Sequence, residues 1–219
     1  MLSLLIRSKI KLDPRPVVAY IRLAEMIGKA SLLEAIAGTN RGLLATDIDK
    51  NAIAVAIAQL EGYNPTPKPL EATALLDGNW RLLYTTSQEL LGIDRVPLAK
   101  LGQIYQCVRT ATATIYNIAE ISGLPYLDGL VSVAARFSPA SDRRVDVKFE
   151  RAIIGLTRLI GYQAPDRFIQ DIEAGRKFAA IDFNIGNSDR QGWLDITYLD
   201  EDLRIGRGNE GSVFVLAKK

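Results

Sequence analysis

Arg144-Val145-Asp146-Val147-Lys148-Phe149-Glu150 alternates a charged with an apolar residue at every step. In extended chain, successive side chains point to opposite faces, so this stretch has one dry face and one wet face. Val131, Val133, Ala135 and Phe137 repeat the period just upstream. Working outward, the same reading places strands at Trp80–Thr86, Gln103–Thr110, Thr114–Ile121, Leu130–Phe137, Arg144–Glu150, Phe178–Ile185, Gly192–Leu199, Leu203–Gly206 and Ser212–Ala217. Asp142-Arg143 and Asp200–Asp202 sit where hairpin turns belong. Eight or nine short strands without helical repeats between them predict a closed or nearly closed antiparallel meander. Closure removes exposed edges, and a barrel of about eight strands can enclose one small ligand.

Before Gly78 the period is helical. Val17, Ile21, Ala24, Leu32, Leu33 and Ile36 recur at three and four between Pro16 and Gly38. A second helix runs from about Ile48 to Leu60, with Thr46 as N-cap, Asp49 completing a capping box, and Gly62 as the stop. Asn64-Pro65-Thr66-Pro67-Lys68-Pro69 cannot continue a helix and reads as a stiff linker. The fold class is therefore α+β: a helical segment and linker over 1–69, then an antiparallel β-barrel over 70–219. Arg151–Gly175 breaks the alternation with Ile153, Ile154, Leu156, Leu159, Ile160 and Phe168 among arginines. It is too apolar for a solvated loop and reads as a lid or an interfacial insertion, with Ile153, Ile154 and Leu159 as membrane-contact residues.

Composition narrows the chemistry. The 219 residues carry 27 basic and 25 acidic side chains, a balance that disfavours nucleic acid. There is no histidine, which removes the commonest general base, histidine triads and histidine-ligated metals. Cys107 is the single cysteine, so no intrachain disulfide can form. No cofactor, metal site or catalytic residue is assigned. Met1–Leu12 has the reverse order of a signal peptide and reads as a non-cleaved arm.

Three motifs need weighing. Gly206-Arg207-Gly208-Asn209-Glu210-Gly211 fits G-x-G-x-x-G, but a strand rather than a helix follows, so it reads as a hairpin turn. Asp200, Glu201 and Asp202 stand together in a turn, where solvated carboxylates are expected rather than an acid–base pair. Gly78-Asn79-Trp80 opens the first strand, and Trp80 is expected to plug one barrel end with Arg204 or Arg207 over its ring. Trp80, Leu82, Tyr84, Val133, Phe137, Val147 and Phe149 are the candidate inward, ligand-lining residues. No inward cluster of charges is evident, which disfavours a strongly ionic ligand.

Ser31–Gly42 (SLLEAIAGTNRG), Leu60–Pro67 (LEGYNPTP), Leu76–Ser87 (LDGNWRLLYTTS), Ile104–Gln106 (IYQ) and Leu194–Leu216 (LDITYLDEDLRIGRGNEGSVFVL) resemble the plastid-lipid-associated protein family, the plastoglobule fibrillins. The resemblance covers about Lys29 to Leu216. It implies a lipocalin-like barrel behind a helical segment, with Gly78 and Trp80 as the first-strand signature and Asp200 as the acidic residue near the C-terminus. It implies non-enzymatic binding of an apolar lipid or isoprenoid (a quinone, a carotenoid or an acyl lipid), peripheral contact with thylakoid membranes and a photoprotective role. Without a long transit peptide, a cyanobacterial member is expected, thylakoid-associated or cytoplasmic; a plant or algal source would place it in the plastid. The alternative is a scaffold that coats thylakoid or lipid-globule surfaces or recruits a protein partner of isoprenoid metabolism.

Overall fold

A computed structural model describes residues 15–92, 100–123, 126–185 and 191–219. The proposed N-terminal arm lies outside them. Helices α1 (Arg15–Ile36) and α2 (Asp47–Glu61) precede a short helix α3 (Thr73–Leu76) and strand β1 (Gly78–Thr85). A turn of helix, α4 (Gln88–Leu91), comes before β2 (Lys100–Arg109), β3 (Thr114–Ser122), β4 (Gly129–Pro139) and β5 (Arg144–Leu156). Two helices, α5 (Thr157–Ile160) and α6 (Pro165–Glu173), interrupt the strands. The chain ends in β6 (Ile181–Asn184), β7 (Gln191–Leu199), β8 (Leu203–Gly208) and β9 (Val213–Lys218).

All strand pairings are antiparallel. β4, β3, β2, β1, β9, β8, β7 and β5 lie side by side in that order, and pairing of β4 with β5 closes an eight-stranded barrel. The first half of β5 pairs with β7 and its second half with β6, so β6 continues the wall at one end as a lip. The fold is the α+β class expected: a lipocalin-like barrel behind a helical segment.

Helices pack on the outside of the barrel, which makes much of the wall apolar on both faces. Leu32, Ile36, Ile53, Ile57 and Leu60 of α1 and α2 cover Tyr84, Tyr198, Leu203, Ile205 and Val215. On the other side, Ile160, Phe168 and Ile169 cover Tyr105, Cys107, Tyr116, Ile118, Leu130 and Ile153. A third cluster fills the interior: Trp80, Leu82, Ile104, Val108, Ile115, Ile196, Leu199 and Leu216. The expected helices form where their caps place them. Thr46 Oγ1 accepts from the Asp49 amide (3.2 Å) while Asp49 Oδ2 accepts from the Thr46 amide (2.9 Å), closing the capping box of α2.

The segment Arg151–Gly175 is neither a lid nor a free insertion. Its first six residues extend β5, and its helices lie flat on the outer wall. Strand alternation is hard to see there because Ala152 and Ile153 are apolar on both faces. The proline linker is tethered as well: Asn64 Oδ1 accepts from the Leu199 amide (3.1 Å), and Arg143 Nε donates to the Pro67 carbonyl (2.9 Å).

The turn between α1 and α2 is a run of left-handed residues: Gly38 (φ 78°), Asn40 (45°), Arg41 (60°) and Gly42 (104°). It lays the helices against the barrel. Arg41 forms a bridge to Tyr84, its carbonyl accepts from Thr85 (3.1 Å), and its guanidinium donates to the Leu101 carbonyl (2.6 Å). A Cβ on Gly42 would sit 2.4 Å from the Thr85 carbonyl oxygen, whereas one on Gly38 would meet nothing within 4 Å. Gly38→Ala is therefore expected to cost only the left-handed backbone penalty, roughly 1–2 kcal/mol. Gly42→Ala adds a backbone collision and is expected to cost clearly more. Equal denaturant midpoints for the two variants would contradict this account of the turn.

Candidate functional site

The end of the barrel nearest the linker is sealed. Trp80 is fully buried, and its indole Nε1 donates to the Leu76 carbonyl (2.9 Å), so α3 caps the floor. Arg204 lies across the indole with its guanidinium carbon 4.9 Å from the ring centroid, and Lys218 Nζ stands 5.1 Å away. Gly78 has φ 123°, and a Cβ there would crowd the Lys218 chain at 3.2 Å. Leu76, Val108, Ile115, Phe137, Val145, Leu194, Ile196 and Arg204 enclose a void of only about 10 Å³.

Higher in the barrel the packing changes. Strand register puts Gln106, Asn117, Val133, Val147, Phe149 and Phe214 on the inward face. Each is only half-buried, whereas Ala135, Val145 and Leu216, one inward step nearer the floor on β4, β5 and β9, are buried. On β2 and β3 the next inward residues toward the barrel mouth, Ile104 and Ala119, are buried again, so the looser packing lies on the β4, β5 and β9 side of the interior. At the mouth, the ends of β3, β4 and β5 join α5 and β6 in an apolar groove of about 500 Å³ lined by Ile121, Ile154, Leu156, Leu159 and Ile181. Ile154 and Ile181 pair directly, and Ile181 and Phe183 on the lip are exposed.

Of the candidate lining residues, Trp80 and Leu82 belong to the interior core, Phe137 borders the small void, and Val133, Val147 and Phe149 face inward and are half-buried. Tyr84 does not reach the interior. A register shift between Leu82 and Tyr84 turns it outward into the core beneath α1 and α2. Ile153 is likewise 2% exposed beneath α6, because it alternates with Ile154, which is 40% exposed at the mouth; Leu159 is 59% exposed. Arg207 is not near Trp80. Three residues from Arg204 on one strand, it faces the other way and forms a paired salt bridge to Glu61 (2.9 Å for both bonds), clamping α2 to β8. Gln106 and Asn117 are not apparent from the sequence. Their places on alternating strands could have revealed them, but polar residues on an inward face run against the hydrophobic pattern used to find the lumen.

Asp200 is structural. Its Oδ1 accepts from the amides of Asp202 (2.7 Å) and Leu203 (2.6 Å), which fixes the β7–β8 turn. Its Oδ2 meets Lys29 Nζ of α1 and the Tyr198 hydroxyl, each at 2.7 Å. Burial pushes this carboxyl up, but the bonds from Lys29, Tyr198 and the two amides outweigh it and hold it below the ordinary carboxylate value. Cys107 is buried under α6, and burial pushes its thiol up to about 12, which leaves it un-ionised and unreactive. The described residues contain no group of side chains that could hold a metal ion. No described helix is long and apolar enough to cross a membrane.

A closed eight-stranded barrel with one sealed end, one open apolar mouth and helices on its outer wall defines a lipocalin-like protein. The chain belongs to the PAP_fibrillin family, whose pattern matches residues 26–217. It is 34% identical over 218 residues to a plastid-lipid-associated protein of Citrus unshiu, covering 87% of this chain and 67% of the relative. It is 35% identical to a chromoplast-specific carotenoid-associated protein of Cucumis sativus, again over 87% of this chain and 67% of the relative. It is also 35% identical to a probable plastid-lipid-associated protein 2 of Arabidopsis thaliana, covering 87% and 70% of the two chains. No solved structure matches it.

Trp80→Ala is expected to cost about 3–5 kcal/mol, as for other large core aromatics; an unchanged melting curve would contradict the sealed floor. Asp200→Asn is expected to cost roughly 1.5–3 kcal/mol near neutral pH, the scale of hydrogen bonds to a charged group. Because the native carboxyl lies below its unfolded value, the parent's advantage is full above the ordinary carboxylate range. It should shrink as pH falls through the depressed native value. A pH-independent difference would contradict that assignment.

Proposed function

We propose that the barrel takes up one elongated apolar lipid or isoprenoid through its mouth and carries or stores it without reacting on it. The observation that carries this reading is the change of packing along the barrel axis. The floor is solid, while inward Val133, Val147, Phe149 and Phe214 remain half-exposed above it. Apolar lining with few polar groups is the usual character of a small-molecule site. The relatives' names point the same way, being plastid-lipid-associated and carotenoid-associated proteins of chloroplasts and chromoplasts. A non-catalytic role is supported by a chain without histidine, a cysteine held as a buried thiol, and an Asp200 committed to a turn.

The mouth also suits peripheral contact with a photosynthetic membrane, where a photoprotective cargo would be exchanged. Ile154, Leu159, Ile181 and Phe183 form an exposed apolar rim, with Arg158 and Lys177 exposed nearby in sequence. That combination can enter the head-group region and meet anionic lipid. A scaffold role is the second reading. Tyr20, Leu23, Met26 and Ile27 are exposed on the free part of α1, which suits recruitment of a protein partner.

Two experiments separate these. Titration with β-carotene and a plastoquinone analogue should quench tryptophan fluorescence saturably at one ligand per chain, and Phe149→Trp should block it. Failure of every apolar ligand to saturate would leave the scaffold reading ahead. Flotation with vesicles containing anionic lipid should be lost in an Ile154→Ser, Leu159→Ser, Ile181→Ser variant. Unchanged flotation would rule out the rim as the contact surface.

A further inference from the structure

Arg204 is 1% exposed, yet no carboxylate pairs with it among the described residues. Its one hydrogen bond to a side chain runs from Nη2 to the neutral Gln106 Oε1, and its buried Nε has no partner. Gln106 in turn donates to Asn117 Oδ1 (3.0 Å). Gln106 and Asn117 face the lumen and are half-exposed, so a polar track runs across the interior, level with Trp80, to a buried cation. A buried charge is costly unless it is paired and hydrogen-bonded. The indole of Trp80 offers its face, which satisfies no N–H.

The void beside Arg204, about 10 Å³, is the size of one oxygen atom, and its other seven lining residues are all apolar. A water needs two to four polar partners to be held well, and the lining offers it only Arg204. An oxygen that brings its own negative charge, attached to an apolar chain, fits the same surroundings better.

We propose that Arg204, with Gln106 and Asn117, is a carboxylate-anchoring subsite, and that the barrel's preferred ligand is a long-chain fatty acid held head-down. The inference rests on the reading of the barrel as a lipid site and specifies the ligand class. The carboxylate takes over the Gln106 bond to the Arg204 guanidinium, and Gln106 Nε2, which gives one N–H to Asn117 Oδ1, can donate its other N–H to the second oxygen. The chain then rises past Val147, Phe149, Val133 and Phe214 to the mouth. The void beside Arg204 has room for one oxygen of a carboxylate, the other lying toward Gln106, and is too small for the several oxygens of a diphosphate. Burial without a carboxylate partner also pushes the guanidinium down to about 9, still protonated at neutral pH and ready to receive an anion.

The test uses the full chain with Trp193→Phe, so that emission reports Trp80 beside the subsite. Oleic acid, methyl oleate, oleyl alcohol and farnesyl diphosphate are titrated in parallel. Oleic acid should bind at least tenfold more tightly than the ester and the alcohol, and farnesyl diphosphate should not compete. Gln106→Leu removes the donor to the second oxygen but leaves the cation, and should weaken the preference for the acid without abolishing it. Arg204→Met should abolish it while leaving methyl oleate unchanged. If Arg204→Met melts too early to assay, oleic acid carrying ¹³C at its carboxyl is bound to the parent instead. Its resonance should titrate below the ordinary carboxylate range. Equal affinity for acid, ester and alcohol, or an unshifted carboxyl titration, overturns the anchor and leaves the lipid-carrier reading standing. Absence of saturable binding by any of them overturns the carrier reading and the anchor together.

Discussion

Trp80 and Arg204 meet across the floor of the barrel, from strands that are not neighbours in the sheet. Their contact settles which end is shut. With the indole bonded to α3 and the guanidinium laid over its face, small side chains are not needed to close that end. The opposite end can then stay open without costing the fold its core. The looser packing of inward residues along β4, β5 and β9 accords with this asymmetry, as does the direction from which a ligand would come. A barrel packed equally along its axis would bury Val133 and Phe149 as thoroughly as it buries Ala135 and Val145.

The outer wall depends on the floor less directly. Eight strands closed on themselves need no helices, yet both sides of this barrel carry them, because Tyr105, Tyr116, Tyr198, Leu203 and Ile205 are large and face outward. The Gly38–Gly42 turn, the Lys29–Asp200 pair and the Arg207–Glu61 clamp hold α1 and α2 against one side. Motif residues that look functional in the sequence, Asp200 and Arg207 among them, are used for this attachment. Arg204 sits between them in the chain and is the one that points inward.

Alternation made most of the fold legible. Arg144–Glu150 reads as a strand because one of its faces is wet, and the capping box of α2 is explicit in Thr46 and Asp49. Reading failed where a second apolar surface erased the pattern. Residues 151–156 continue β5 beneath α5 and α6, so nothing in their hydropathy separates inside from outside. A one-residue register shift in β1 sent Tyr84 to the wrong face in the sequence reading. Arg204 over Trp80 was legible from the Gly-x-Trp motif, but its polar neighbours Gln106 and Asn117 were hidden because they violate the rule that inward positions are apolar, and such violations are expected at functional sites.

An interior loosely packed above a sealed floor should admit a lipid chain, and spin-labelled lipid reads that directly. A stearic acid carrying a nitroxide near its methyl end is added to protein with ¹³C-labelled methyl groups. Resonances of Val131, Val133 and Ile154 should broaden near the mouth. Those of Leu82 and Val108 at the floor, and of Leu32 and Ile160 on the outer wall, should stay sharp. Broadening confined to outer-wall methyls, or spread evenly over the surface, would contradict an interior site.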